Sequence, residues 1–331
     1  QKFKNISYTD NLNNKLEYKY LPIDSVALYV PGSSASYPSS VLMNTIPAII
    51  AGVKRIVMIN PGLKGKQNSA VLYAARKCKI NEIYSIGGPS AIAAVAYGTK
   101  KIKKVDKIVG PGNLYVAAAK KEVFGDVGIE GMTAGPSEIL IVCDKFSNPE
   151  WVASDLIGQA EHDNLAQCIL ISKDKNFISK VSNEINKQLK DLPRAKIARN
   201  SIKNNAILIH ISSDNKIIDV VNKIAPEHLE LNVKNYKKIA LKIKNSGSIC
   251  LGKYAVMAMT DYNIGSNHVL PTNSSARYSS GISVNEFYKR ISYINLSKKG
   301  IETLGPSVIT LANYEGLVGH AKSVEKRIRR K

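Results

Sequence analysis

Three neighbouring stretches decide the fold: Glu138-Ile139-Leu140-Ile141-Val142-Cys143, Ala153-Ser154-Asp155-Leu156-Ile157-Gly158-Gln159-Ala160-Glu161-His162-Asp163 and Gln167-Cys168-Ile169-Leu170-Ile171-Ser172. The outer two are short apolar runs rich in Ile and Val, which read as buried strands. The middle one has helical spacing, with Trp151, Leu156 and Ile157 on one broad face. Strand, helix and strand in that order predict a parallel pair with a crossover. Gln159 and His162 are three apart, so on a helix both project from one side. An amide oxygen and an imidazole there suit a divalent metal completed from elsewhere in the chain. Taken alone, the pair reads better as partly buried polar residues near a helix end.

The alternation extends in both directions. On the N-terminal side, strands are expected at Val26 to Val30, Lys54 to Asn60, Glu82 to Ile86 and Val105 to Val109. Helices are expected at Val41 to Gly52, Ala70 to Cys78, Gly87 to near Gly98, and from Asn113 to Val123. On the C-terminal side, Phe177 to Leu189 is an amphipathic helix, Ala206 to His210 a strand, Asn215 to Ile224 a helix and Ser248 to Gly252 a short strand. The class is α/β: two consecutive Rossmann-like parallel-sheet domains and a C-terminal helical tail. No G-x-G-x-x-G loop occurs, but Pro31-Gly32, Gly87-Gly88 and Gly110-Pro111-Gly112 follow successive strands. Such strand ends are where open α/β sheets hold ligands, although each glycine alone is an ordinary turn residue. The boundaries read as an extended lead-in over 1–24, a cofactor-side domain over 25–130 and a second α/β domain over 131–250. An active-site loop region over 251–300 and the helical tail over 301–331 follow.

Two further stretches carry chemistry. Ala225-Pro226-Glu227-His228-Leu229-Glu230-Leu231 opens with proline, which suits the first turn of a helix. Its Glu227 and His228 are the residue types of general acid–base catalysis, although a Glu-His pair at a polar helix start is commonly surface. The long loop from Tyr254 to Gly281 holds Asp261 and His268, seven apart amid apolar anchors. Loops of that length are usually functional or disordered, and the first is favoured here. The tail, helical from Ser307, carries Glu315 and His320.

Composition narrows the partners. No run of eighteen apolar residues exists, so no membrane span is expected. The polar start, Gln1-Lys2-Phe3-Lys4-Asn5, is unlike a signal peptide, and a first residue other than Met suggests trimming or a fragment. Cys78, Cys143, Cys168 and Cys250 lack metal-ligand or disulfide spacing, which predicts reduced core thiols in a cytoplasmic protein. The net charge of +21 is mostly scattered Lys beside abundant Asn and Ile. The terminal stretch Glu325 to Lys331 forms a basic run. That pattern fits A·T-rich codon drift and a solvated basic surface, so no nucleic-acid partner is expected.

Assembled in order, seven pieces resemble one family, histidinol dehydrogenase: SVALYVPG (25–32), VGPGN (109–113), AGPSEILIV (134–142), ASDLIGQAEHD (153–163), APEHLEL (225–231), SNHVLPT (266–272) and EGLVGH (315–320). They cover the chain from about residue 20 to its end. The resemblance implies two successive hydride transfers from L-histidinol to NAD, yielding L-histidine, at a zinc site in a homodimer. Carried over by residue, it implies zinc ligands Gln159, His162, Asp261 and His320, and a catalytic pair Glu227 and His228. It implies substrate contacts from Ser137, Asp261, His268 and Glu315 as well as the zinc ligands and His228. Cofactor contacts would be Tyr29, Ser90 and Asn113. The residues matching Glu315 and His320 enter the neighbouring subunit's site in that family, and the glycine-punctuated stretch from Lys299-Gly300 to Gly305-Pro306 could let the tail reach away. His210 is left as structural.

Within that scheme His228 serves as base for both oxidations, and Glu227 activates the water needed by the second. This chain departs from the family at Met257, where a Glu is usual, at Ser90, where a Gln is usual, and at Ser33, where a Gly is usual. A mostly helical N-terminal segment of that family is expected to be absent here. Two rivals follow: a related zinc- and NAD-using alcohol-to-acid dehydrogenase, for which Met257 leaves room, and a catalytically decayed homologue acting as a basic binding protein. Retention of all four implied ligands speaks against the second.

Overall fold

The protein is described by a computed structural model covering residues 3–32, 37–63, 65–130 and 135–328; Ser33 and the last residues of the basic run lie outside them. The chain forms two compact units, one from residues 24–286 and one from residues 1–23 and 287–331.

The larger unit holds two five-stranded parallel sheets. The first runs in the order Glu82–Tyr84, Arg55–Ile59, Ser25–Tyr29, Lys107–Val109, Gly128–Ile129. The second runs Ala206–His210, Gln167–Ser172, Glu138–Cys143, His228–Asn232, Ser248–Leu251. In each, the strand that comes first in sequence is central and the chain winds outward to both sides, the doubly wound arrangement that the alternation predicts. Both faces of the second sheet are covered. Ile139, Ile141, Cys168 and Leu170 pack on the helix Pro149–Ala160, while Leu140, Val142, Ile169 and Ile171 pack on the helix Asp214–Ile224. Burial on both faces is why these strands read as unbroken apolar runs. Each fully buried Ile or Leu contributes roughly 1.5–3 kcal/mol. All four cysteines are free and buried, as expected of core thiols.

The stretch around Glu227 departs from expectation. His228–Asn232 is a central strand, not a helix. Alternation sends Leu229 and Leu231 into the cluster under Asp214–Ile224, which leaves His228 and Glu230 on the opposite face, towards Pro149–Ala160. Packing to period two overrides the proline signal. The long loop is also shorter than expected, because Met257–Tyr262 is a helix and Asp261 sits on it. A helix at Ala195–Asn205 has no counterpart in the sequence reading.

In the smaller unit, Ile6–Thr9 and Lys15–Pro22 form an antiparallel hairpin that Tyr288–Asn295 extends. The expected lead-in is thus two strands whose third partner lies far along the chain. The tail starts earlier than Ser307: Lys298–Tyr314 is one helix running through Gly300, Gly305 and Pro306, followed by Val318–Ile328. The glycines here do not hinge the tail. A Cβ at Gly305 would strike Ile328 and Val324 of the second helix, and one at Gly300 would strike the Asn14 amide. They are small so that helix and turn can pack closely.

Candidate active site

The site is assembled at the amino edge of the second sheet. Glu138 and His228 are the first residues of adjacent strands, and His228 is in register with Ile139 on one side and Ser248 on the other. The helix Pro149–Ala160 ends at Gln159 and Ala160 with Glu161 as its cap, so His162 lies just beyond the helix rather than on it. The His162 N–H still bonds the Gln159 carbonyl at 3.2 Å, which keeps the two together. A helix C-terminus of this kind favours a cation. Leu156 and Ile157 are buried as expected, but Trp151 is exposed and tilts against Tyr254.

Around His228 the groups converge. Its Nε2 is 3.8 Å from Glu227 Oε1 and 3.9 Å from Asp261 Oδ1. His268 Nδ1 is 3.0 Å from the Asp261 carbonyl, which ties the loop to the Met257–Tyr262 helix. Burial, then the neighbouring His162 and His268, drives the His228 imidazolium down to about 3, so its ring is neutral. Burial lifts the Glu227 carboxyl well above its ordinary range, opposed by the bond from the Glu138 N–H and reinforced by the Glu138 and Asp261 carboxylates, and burial lifts Asp261 to about 6. A neutral imidazole beside a carboxyl of raised basicity is equipment for moving protons.

Glu227 is anchored by Glu138. The Glu138 N–H donates to Glu227 Oε2 at 2.9 Å, the Glu227 N–H donates to Glu138 Oε2 at 3.4 Å, and Glu138 Oε1 accepts the Asn273 N–H at 3.0 Å. Beneath them lies a second acid pair. Glu230 accepts the Met257 N–H at 2.8 Å and faces Asp155, four residues before Gln159. The Met257 side chain itself is buried in the apolar cluster. Neither Glu138 nor the Asp155–Glu230 pair was singled out from sequence. The available signal was a carboxylate in otherwise apolar strand and helix stretches.

Among the described residues no group of three or more His, Cys, Asp or Glu could hold a metal ion. Of the implied ligand set, only His162 and Asp261 of this unit belong to those types, and Gln159 adds an amide. Both amide atoms of Gln159 and Oδ1 of Asp261 are buried with no hydrogen-bond partner. Buried polar atoms are rarely left so, and the Asp261 carboxylate with the His162 imidazole is a donor set that suits zinc. The residues present therefore fit the group. Glu315 and His320 belong to the smaller unit, where Glu315 caps the end of the first tail helix and His320 lies in the first turn of the second, both exposed.

The implied cofactor residues lie at the carboxyl edge of the first sheet. Tyr29 ends the central strand, and its hydroxyl accepts the Gly88 N–H at 3.1 Å. Ser90 is exposed on the first turn of the helix Gly88–Tyr97, and Asn113 caps the helix Leu114–Glu122 through a 3.1 Å bond from the Val116 N–H. Gly110 has φ of +100°, and any Cβ there would strike the Tyr29 carbonyl, so this turn requires glycine for close approach. Lys120, only 1% exposed, closes the turn by donating to the Gly110 carbonyl at 2.5 Å and the Glu130 carbonyl at 3.1 Å. Ser137 is half-buried just before Glu138, and His210 is exposed, 3.3 Å from the Lys173 carbonyl.

A buried acid–base pair on a doubly wound α/β scaffold defines the class as an enzyme. The putative aldehyde dehydrogenase PutA from Anabaena variabilis shares the fold, with a TM-score of 0.56 at 11% identity over 88% of this chain and 76% of that one. The family model for histidinol dehydrogenase matches residues 1–328, and the chain belongs to that family. A histidinol dehydrogenase from Pelagibacter ubique (strain HTCC1062) is 86% identical over 331 residues, 100% of this chain and 77% of that protein. One from Nitrosomonas europaea is 49% identical over 320 residues, 97% of this chain and 74% of that protein. The crystal structure of histidinol dehydrogenase from Elizabethkingia anophelis matches with a TM-score of 0.94 at 40% identity, covering 99% of this chain and 76% of that one.

Proposed function

We propose that the chain oxidises L-histidinol to L-histidine through L-histidinal in histidine biosynthesis, passing two hydrides to NAD. The observation that carries this reading is the buried Glu227–His228 pair beside the unpartnered Gln159 and Asp261. Gln159, His162 and Asp261, with His320 from a second copy of the chain, would hold zinc, which when bound supplies positive charge to fix and polarise the substrate's amino alcohol.

The chain's own groups then act in turn. Neutral His228 accepts the hydroxyl proton as hydride leaves the alcohol carbon, so an alcohol becomes an aldehyde and one two-electron reduction is accounted for. Glu227 accepts a proton from water adding to that aldehyde, and His228 serves again as the hydrate loses its hydride. Ser137, His268 and Glu315 position the substrate, while Tyr29, Ser90 and Asn113 receive the dinucleotide. The working form is a cytoplasmic homodimer with shared sites. Membrane and nucleic-acid partners are absent from this reading; no helix among the described residues is long and apolar enough to cross a membrane. Met257 leaves the assignment unchanged, since its side chain is turned into the core. The test is NADH formation from L-histidinol by the zinc-loaded chain, two NADH per histidine formed. No NADH under those conditions overturns the reading.

A further inference from the structure

Glu138 is a buried carboxylate to which the reaction above gives no task, yet it is bonded to two elements of the site. One oxygen accepts the Asn273 N–H at 3.0 Å, at the end of the loop that carries His268. The other accepts the Glu227 N–H at 3.4 Å, at the entry to the strand that carries His228. Its own N–H pins Glu227 Oε2 at 2.9 Å. One residue upstream is Ser137, whose carbonyl accepts the Gln167 N–H at 2.9 Å. The loop is held to this strand a second time where the Gly135 N–H bonds Thr272 Oγ1 at 3.0 Å.

Two consequences follow from donor and acceptor chemistry. A carboxylate accepts on both oxygens at once, whereas a glutamine must present an NH2 group to one of the two N–H donors. With Oε2 of Glu227 pinned, Oε1 is left as the oxygen 3.8 Å from His228 Nε2, the one free to take a proton.

We propose that Glu138 is a positioning residue for Glu227: its carboxylate accepts the Glu227 N–H and so holds the backbone from which the Glu227 carboxyl is presented, keeping Oε2 in reach of the Glu138 N–H and Oε1 towards His228. This rests on the assignment of Glu227 to the aldehyde step. The geometry is reciprocal, each glutamate held by the other's backbone, so the two form a single rigid corner where adjacent strands begin.

The experiment measures alcohol and aldehyde oxidation separately in the zinc-loaded enzyme, for Glu138→Gln, Glu227→Gln and the double variant. Glu138→Gln is expected to slow aldehyde oxidation by about tenfold or more, the scale of a small misplacement, with alcohol oxidation, zinc content and melting temperature much less changed. In the Glu227→Gln background the same substitution is expected to add little, because it acts through the residue already lost. Equal losses in both steps, or a full additional loss in the double variant, overturn the proposal and leave Glu138 a structural residue. If Glu138→Gln fails to fold, Glu138→Asp carries the same comparison, keeping two acceptor oxygens on a shorter arm. If Glu227→Gln alone spares aldehyde oxidation, the assignment of Glu227 fails instead, and the two failures are told apart.

Discussion

Glu227 Oε1 stands 3.8 Å from Nε2 of His228, the residue next to it in sequence, close enough for electrostatic influence and too far for a hydrogen bond. In the proposed reaction that gap lets each act on a different proton. Glu227→Gln should slow aldehyde oxidation by about a hundredfold, the lower range for a lost general base, with a smaller effect on the alcohol step. His228→Asn should impair both. Separate assays with histidinol and histidinal check this, and normal histidinal turnover by Glu227→Gln would contradict it.

The unpartnered amide of Gln159 and Oδ1 of Asp261 lead to a metal prediction. One zinc per chain should be retained after loading and dialysis, and His162→Ala or Gln159→Ala should lose most of it. At a hundredfold excess over its dissociation constant, bound metal should add about 2.7 kcal/mol to stability, seen as a raised melting temperature. Elemental analysis without stoichiometric metal in the loaded wild type would rule the site out.

The acid pair behind the site predicts a pH dependence. Burial and then Asp155 lift Glu230 to about 8, and burial lifts Asp155 to about 6. Both shifts are upward, so the folded chain holds protons that the unfolded chain has released. Stability of the metal-free protein should therefore fall as pH climbs from the ordinary carboxylate range through about 8. Glu230→Gln keeps an acceptor for the Met257 N–H and a donor for Asp155, and should flatten that decline. Urea midpoints across the window give the slope; an unchanged slope in the variant counts against a shared proton.

Much of the scaffold was legible. EILIVC and QCILIS announce strands because both their faces are covered, so no polar residue interrupts them. The HLELN strand was not legible, because Glu230 is charged in the sequence and buried in the fold. Its burial is made tolerable by Asp155 on a distant helix and by the Met257 N–H, and no local pattern reports such partners. Glu227 and His228 were recognisable as chemistry, whereas Glu138 looked like a strand's polar first residue. Its meaning depends on Asn273, which lies 135 residues away in sequence. Residues 1–22 read as a lead-in for a similar reason, since their third strand is Tyr288–Asn295.

Sharing of sites between copies is open to a mixing test. His320→Ala and His228→Asn chains should each be inactive alone. Mixed in equal amounts under exchange, they should regain about a quarter of wild-type activity, since half the dimers are hybrid and each has one intact site of two. Hybrids that form without activity would show that His320 serves its own subunit.

The unbroken helix Lys298–Tyr314, its close packing on Val318–Ile328 through Gly305, and the short turn at Gly316–Leu317 make the tail a stiff lever rather than a tether. Glu315 and His320 sit at its tip with a spacing set by the lever itself, so a surface that receives one receives the other in register. In the proposed dimer, arrival would then require little ordering of chain, with fidelity decided far from the tip. A bulky side chain at Gly305, touching neither residue, should splay the hairpin and misplace both together.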